Sequence, residues 1–187
     1  WGADVKGLSV VSVGCDNFHG GYQVTEHVIK KNRKNFAFLG GVTTGSPEFL
    51  DRYKGHCQAL KDNNLNVDSK LQIDAVSTDE SGYLAAKKLL ENGVTFDAIC
   101  AASDLIAIGA MRAVQEAGYN IPKDIAVVGF DDIATASFTF PAMTTAKQDT
   151  VLAGELLVDK LLQLVRGEVA QTQLMPTTLV VCKSCGS

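Results

Sequence analysis

The chain has 187 residues, 46% apolar and 20% charged, with 17 Lys and Arg set against 21 Asp and Glu for a formal net charge of −4. That composition is ample for a folded core, and with no long Lys/Arg cluster it argues against this segment gripping a phosphate backbone by itself. No apolar run approaches the roughly 20 residues of a membrane span, and Trp1 to Lys6 lack the charged and apolar regions of a secretory leader, so no membrane partner and a cytoplasmic location are expected.

The length admits one large domain or two small lobes. Leu8 to Val13, rich in β-branched residues, reads as a buried strand, and Gly14 to Gly21 as a loop with turn chemistry. Tyr22 to Lys31 has apolar residues near helical spacing, and the basic run Lys30 to Lys34 is a solvated helix end. Asn35 to Leu39 is a second strand, closed by the Gly-rich stretch from Gly40 to Pro47 ahead of a helix from about Glu48 to Asp62. That stretch has neither a G-x-G-x-x-G nor a Gly-Lys-Ser/Thr ending, which argues against a nucleotide. Arg52, early in this helix, has the fork of donors to reach hydroxyls or a carboxylate at the sheet edge; the plainer reading is a salt bridge with Asp51 or Glu48.

Leu71 to Val76 is a third strand, and Asp79-Glu80-Ser81-Gly82 introduces a helix running through Leu90. Phe96 to Ala101 is a fourth strand; Ser103 or Asp104 caps the helix Leu105 to Glu116, leaving the other to face a crevice, and Gly118 ends it. The fifth strand, Ile125 to Phe130, is apolar enough to be covered on both faces, and the chain is organised around it. Two carboxylates, Asp131 and Asp132, follow at its carboxyl end, where a doubly wound sheet opens its ligand crevice. One of them caps or turns the chain, and at least one is expected to touch a small polar ligand. Thr144 to Lys147 is a connecting strand, Val151 to Val165 an amphipathic helix and Thr177 to Val181 a last strand. Alternating strands and helices imply an α/β fold with a parallel sheet.

Of the five cysteines, Cys15, Cys57, Cys100 and Cys182 sit in apolar or helical settings that suit small hydrophobes in a reducing compartment. Cys182-Lys-Ser-Cys185 has redox or metal spacing but no following helix to lower a thiol pKa and no second CxxC. His19, His27 and His56 form no metal-binding spacing, so neither metal nor cofactor is expected.

Taken together, these motifs resemble the effector-binding core of the lactose/galactose repressor family of bacterial transcription regulators. The resemblance is carried by Asp16-Asn17, Gly20-Gly21, Glu26-His27, Phe38-Leu39-Gly40-Gly41 and Arg52-Tyr53-Lys54-Gly55. It continues through Ala102 to Ala110, Val127-Val128-Gly129-Phe130-Asp131-Asp132, Thr144 to Gln148 and Leu179-Val180-Val181, covering nearly the whole chain in order.

The resemblance implies a periplasmic-binding-protein-like α/β fold with two parallel-sheet lobes, three hinge crossings and an effector between the lobes. The crossings would lie near Arg33-Lys34, Gln148-Asp149 and Val169-Gln171. Residues 1–34 and 149–169 would then form part of an amino-terminal lobe, and 35–148 with 170–187 a complete carboxy-terminal lobe. In the family a DNA-reading helix-turn-helix and the first strands of the amino-terminal lobe come ahead of the position of Trp1. Operator DNA is therefore expected as a partner only through a segment outside this chain.

Carried over by motif, Arg52 and Asp131 match effector-binding positions, with Ser103 standing where many members have Asn and Cys182 where many have Arg. Ser77, His19 and Gln148 map near the crevice. The implied effector is a small polar metabolite such as a sugar, bound without catalysis. The implied assembly is a homodimer through the helix beginning near Asp79 and the segment 133–141, with Phe138 and Phe140 in its interface. A periplasmic solute-binding protein of a sugar transporter shares the fold and is the alternative. A Rossmann-type enzyme would need a glycine fingerprint that the chain lacks.

Overall fold

The computed structural model describes residues 1–2, 10–43 and 46–186. A six-stranded sheet of order β3-β2-β4-β5-β6-β8 dominates it. Its strands are β2 (Phe36–Leu39), β3 (Gln72–Ile73), β4 (Ala98–Ala101), β5 (Ala126–Asp131), β6 (Thr144–Lys147) and β8 (Thr178–Val180). All pair in parallel except β8, which runs antiparallel to β6 with Ala146 opposite Leu179. Every residue of β2 and β4 is buried, which requires cover on both faces of the sheet.

That cover comes from two helix pairs, α1 (Asn17–Ile29) on α2 (Pro47–Asp62) and α3 (Asp79–Glu91) on α4 (Asp104–Glu116). The α3–α4 pair packs backbone against backbone: a Cβ on Gly109 would overlap the Asp79 carbonyl, and one on Gly82 the Ile106 carbonyl. The core runs through Val24, Val28, Leu39, Leu60, Leu89, Ile99, Ile106, Val114, Val127 and Met143. A second, smaller unit joins β1 (Val13–Cys15) in parallel to β7 (Gln173–Met175), with α5 (Thr150–Val165) packed on it through Ala153, Leu156 and Leu157.

Several expectations are corrected. The strand expected over Leu8 to Val13 lies partly outside the described residues, and the described strand is Val13–Cys15. Gly14 to Gly21 is not a loop. The Asp16 carboxylate accepts from His19 N at 2.8 Å and starts α1 at Asn17, carrying Gly20 and Gly21 into the helix. Close packing overrides glycine's poor helix propensity, since a Cβ would meet the Phe130 ring at Gly20 and the Arg52 backbone at Gly21. The strand expected over Leu71 to Val76 shrinks to two residues because Asp68 caps a 3-10 turn over Ser69–Leu71. Strand β7 was not foreseen, its three residues being too short for a periodic signal.

The lobe boundaries also move. Val24 and Val28 of α1 lie in the core of the large sheet, so residues 17–29 belong with it, and the first crossing falls at Cys15-Asp16 instead of Arg33-Lys34. Because β7 pairs with β1, the third crossing lies at Met175–Thr177 rather than Val169–Gln171.

Candidate functional site

The carboxyl edge of the large sheet gathers residues from β5, α1, α2, β4 and the passage after β6. Arg52 points back across this edge from the second turn of α2 and is buried. Its Nε donates to Asn17 Oδ1 at 2.8 Å, and its Nη1 donates to the Ala102 carbonyl at 2.5 Å and to Asp131 Oδ1 at 3.3 Å. The guanidinium lies 3.7 Å from the Phe130 ring centroid and 5.5 Å from that of Phe49. Stacking on Phe130 and a rigid fork of bonds fix its plane.

Asp131 Oδ1 also accepts from Gln148 Nε2 at 2.5 Å. Among the described residues, hydrogen bonds to protein therefore engage Arg52 through Nε and Nη1 and Asp131 through Oδ1. Nη2 remains as a donor and Oδ2 as an acceptor for a ligand. Burial pushes the Asp131 carboxyl up, opposed by Arg52 and Gln148. Burial likewise pulls the Arg52 guanidinium down, opposed by Asp131 and Glu48, although arginine keeps its proton in proteins. The Asp51 and Glu48 alternative for Arg52 gives way to Asp131 as its ion-pair partner; Asp51 pairs with Lys54 instead.

The two carboxylates at the carboxyl end of β5 divide their roles. Asp131 faces Arg52, whereas Asp132 lies 3.8 Å from Lys147 Nζ in a looser pair. Both sit at positive φ, +119° for Asp131 and +58° for Asp132. A non-glycine residue held there costs on the order of 1 to 3 kcal/mol and clusters at ligand sites.

Ser103 is the residue that caps α4, its Oγ accepting from Ile106 N at 3.4 Å and from the Ser77 hydroxyl at 2.9 Å. Ser103 is buried and Ser77 exposed, so of this hydrogen-bonded pair it is the Ser77 hydroxyl that is open to solvent. Asp104 does not face the crevice; it is fully buried under the Asp131–Asp132 turn. His19 lies exposed in the first turn of α1. Sequence reasoning assigned no role to Asn17, Phe49 or Phe130. Asn17 was visible beside Asp16, but its partner lies 35 residues away.

The five cysteines are free. Burial pushes the Cys15 thiol up to about 11 despite the nearby Arg52, which makes it a poor nucleophile at neutral pH. Cys185 is buried with its Sγ 3.1 Å from Thr144 Oγ1 and 3.4 Å from His27 Nε2, on a 3-10 turn that packs under β5 and β6. Among the described residues no group of three or more His, Cys, Asp or Glu is placed to hold a metal ion, and no helix is long and apolar enough to cross a membrane.

The model of the periplasmic binding protein-like domain matches residues 25–185. The HTH-type transcriptional regulator AscG of Escherichia coli (strain K12) is 36% identical over 136 residues, 73% of this chain and 40% of AscG. The lactose operon repressor of the same strain is 34% identical over 160 residues, 85% of this chain and 44% of the repressor. The solved complex of the transcriptional regulator CelR with cellobiose superposes with a TM-score of 0.87 at 32% identity, over 93% of this chain and 54% of that one. The dimeric Lac repressor with an 11-residue C-terminal deletion superposes with a TM-score of 0.86 at 32% identity, over 92% of this chain and 63% of that one. The chain thus spans less than half the length of these two curated relatives.

Proposed function

The chain belongs to the periplasmic binding protein-like domain family, as an effector-binding core of the lactose/galactose repressor type, and from that premise we propose that it senses a small polar metabolite, a sugar or a close relative, at the edge formed by Arg52, Asp131 and Gln148. The observation that carries this reading is the contact of Arg52 with Asp131, in which, among the described residues, Nη2 and Oδ2 carry no hydrogen bond, a donor and an acceptor held on a stacked, buried frame. Vicinal hydroxyls need that pairing. His19 lies two residues from Asn17, which holds Arg52, and Ser77 is bonded to Ser103, next to Ala102, whose carbonyl accepts from Arg52; the small unit of β1, β7 and α5 follows at the crossings near Asp16 and Gln148. The cellobiose held by CelR supports a sugar class without choosing the sugar.

In this reading the protein is a cytoplasmic regulator rather than an enzyme, and operator contact belongs to sequence outside these 187 residues, in keeping with the net charge of −4. It pairs with itself through α3, α4 and the segment carrying Phe138 and Phe140. These two residues are 85% and 89% exposed, the Phe140 carbonyl accepts from Gln115 Nε2 of α4 at 2.7 Å, and α3 and α4 line a groove of about 400 Å³ through Tyr83, Leu84, Ile108 and Arg112. Neither ring folds back onto its own helices, and large exposed aromatics mark contact surfaces.

A thermal-shift panel of glucose, galactose, ribose, cellobiose, guanine and hypoxanthine tests the effector reading. A bound compound at one hundred times its Kd adds about 2.7 kcal/mol of stability. Stabilisation by a sugar that survives in neither Arg52→Ala nor Asp131→Asn supports it. A binder that stabilises both variants as well as the parent places the site elsewhere.

A further inference from the structure

We propose that Asp104 is a positioning residue of the effector site: its buried carboxylate tethers the left-handed turn at Asp131 and Asp132 and so aims the Asp131 carboxylate at the ligand. The inference rests on the effector reading above and names the part that shapes that site from beneath. Asp104 Oδ2 accepts from the Ile133 backbone N–H at 2.9 Å, and Oδ1 accepts from the Thr145 hydroxyl at 2.6 Å. The same Thr145 oxygen accepts from Asp132 N at 3.4 Å. One carboxylate thereby reaches the backbone N–H groups of the two residues that follow Asp131, one directly and one through a hydroxyl.

These partners come from three separate elements, with Asp104 on α4, Thr145 on β6 and Ile133 beyond the turn. Gly129 completes the arrangement, because a Cβ there would overlap Asp104 Oδ1 where the side chain passes β5. A turn holding two aspartates at positive φ persists only when its surroundings over-determine it, and this tether supplies that determination. The alternative is that Asp104 merely favours the first turn of α4 through the helix dipole. That role would leave the turn after β5 untouched when the charge is removed.

An asparagine at position 104 keeps one acceptor and loses the other, so it releases one arm of the tether with little change in volume. Thr145→Val removes the hydroxyl at constant shape, and Thr145→Ser retains it. Amide hydrogen exchange on the free 187-residue protein reads the tether without any ligand. The expected result is exchange at Asp132 and Ile133 faster by about tenfold or more in Asp104→Asn and in Thr145→Val, with β4 and β5 unchanged and Thr145→Ser like the parent. Thr145→Val stands in should Asp104→Asn fail to fold. Unchanged exchange at Asp132 and Ile133 in both variants overturns the proposal, whatever happens to overall stability.

The second arm titrates parent and variants with whichever of the six panel compounds stabilises the parent. Loss of about tenfold in affinity in Asp104→Asn and Thr145→Val, with Thr145→Ser retaining it, supports the proposal; equal affinity in all of them overturns it. A parent that binds none of the six counts against the effector reading instead, while the exchange arm still decides the tether.

Discussion

Arg52 and Asp131, 79 residues apart in the chain, meet at 3.3 Å in an ion pair whose arginine side chain is 6% exposed and whose aspartate is 26% exposed. The asymmetry sets what each substitution does. Arg52→Ala leaves Asn17 Oδ1 and the Ala102 carbonyl without that donor, leaves the Asp131 carboxylate with Gln148 but no cation, and uncovers Phe130, so it destabilises by about 3 kcal/mol. Asp131→Asn keeps an acceptor beside Arg52 and costs about 1 kcal/mol. Urea unfolding of the two variants checks the order, and a larger loss for Asp131→Asn contradicts it.

Phe138 and Phe140 give a prediction about assembly. At 85% and 89% exposure neither contributes much to the folded monomer, so the double variant Phe138→Ser with Phe140→Ser should melt within about 1 kcal/mol of the parent. Sedimentation at tens of micromolar should nevertheless show a dimeric parent and a monomeric variant. A parent that is already monomeric, or a variant that dimerises as tightly, removes the proposed interface.

His56 and Asp104 make opposite contributions as pH changes. His56, buried against Phe38 and Tyr53 with Nδ1 3.0 Å from Thr25 Oγ1, is pulled by burial from 6.5 to about 3. Its depressed value means its stability is full above about 6.5 and is lost as pH falls toward 3. Asp104 is pushed by burial from 3.8 to about 6, so its contribution is full below 3.8 and is lost as pH rises through 6. Between pH 7 and pH 4 the advantage of the parent over His56→Gln should narrow by about 3 kcal/mol. Over the same range its advantage over Asp104→Asn should widen. Denaturant unfolding at the two pH values checks both signs.

Gly109→Ala sets two effects against each other. Alanine favours an exposed helix interior by up to about 1 kcal/mol, whereas overpacking a closed backbone contact costs about 1 to 3 kcal/mol. Here the new methyl meets the Asp79 carbonyl and the Tyr83 N–H across the α3–α4 contact, so the clash wins. We expect a net loss of about 2 kcal/mol, read as a lower urea midpoint with an unchanged slope. A neutral result means the helices part without cost.

The amino-acid sequence by itself determined the alternation of strands and helices, the place of β5 and its two carboxylates, and the glycine at 118 that ends α4, because periodicity and turn chemistry act over a few neighbouring residues. It also singled out Arg52, whose helix opens at the sheet edge. Tertiary structure decided the rest. The helix through Gly20 and Gly21 forms because Phe130 and the Arg52 backbone press against it. The unit boundary falls at Asp16 because Val24 and Val28 are buried under the large sheet, and β7 exists only as the partner of β1. Asp104 turned inward, leaving Ser103 to cap, because Thr145 and Ile133 wait for its carboxylate 41 and 29 residues further along the chain. Contacts of that span are fixed by which surfaces meet when the sheet closes, and no local pattern encodes them.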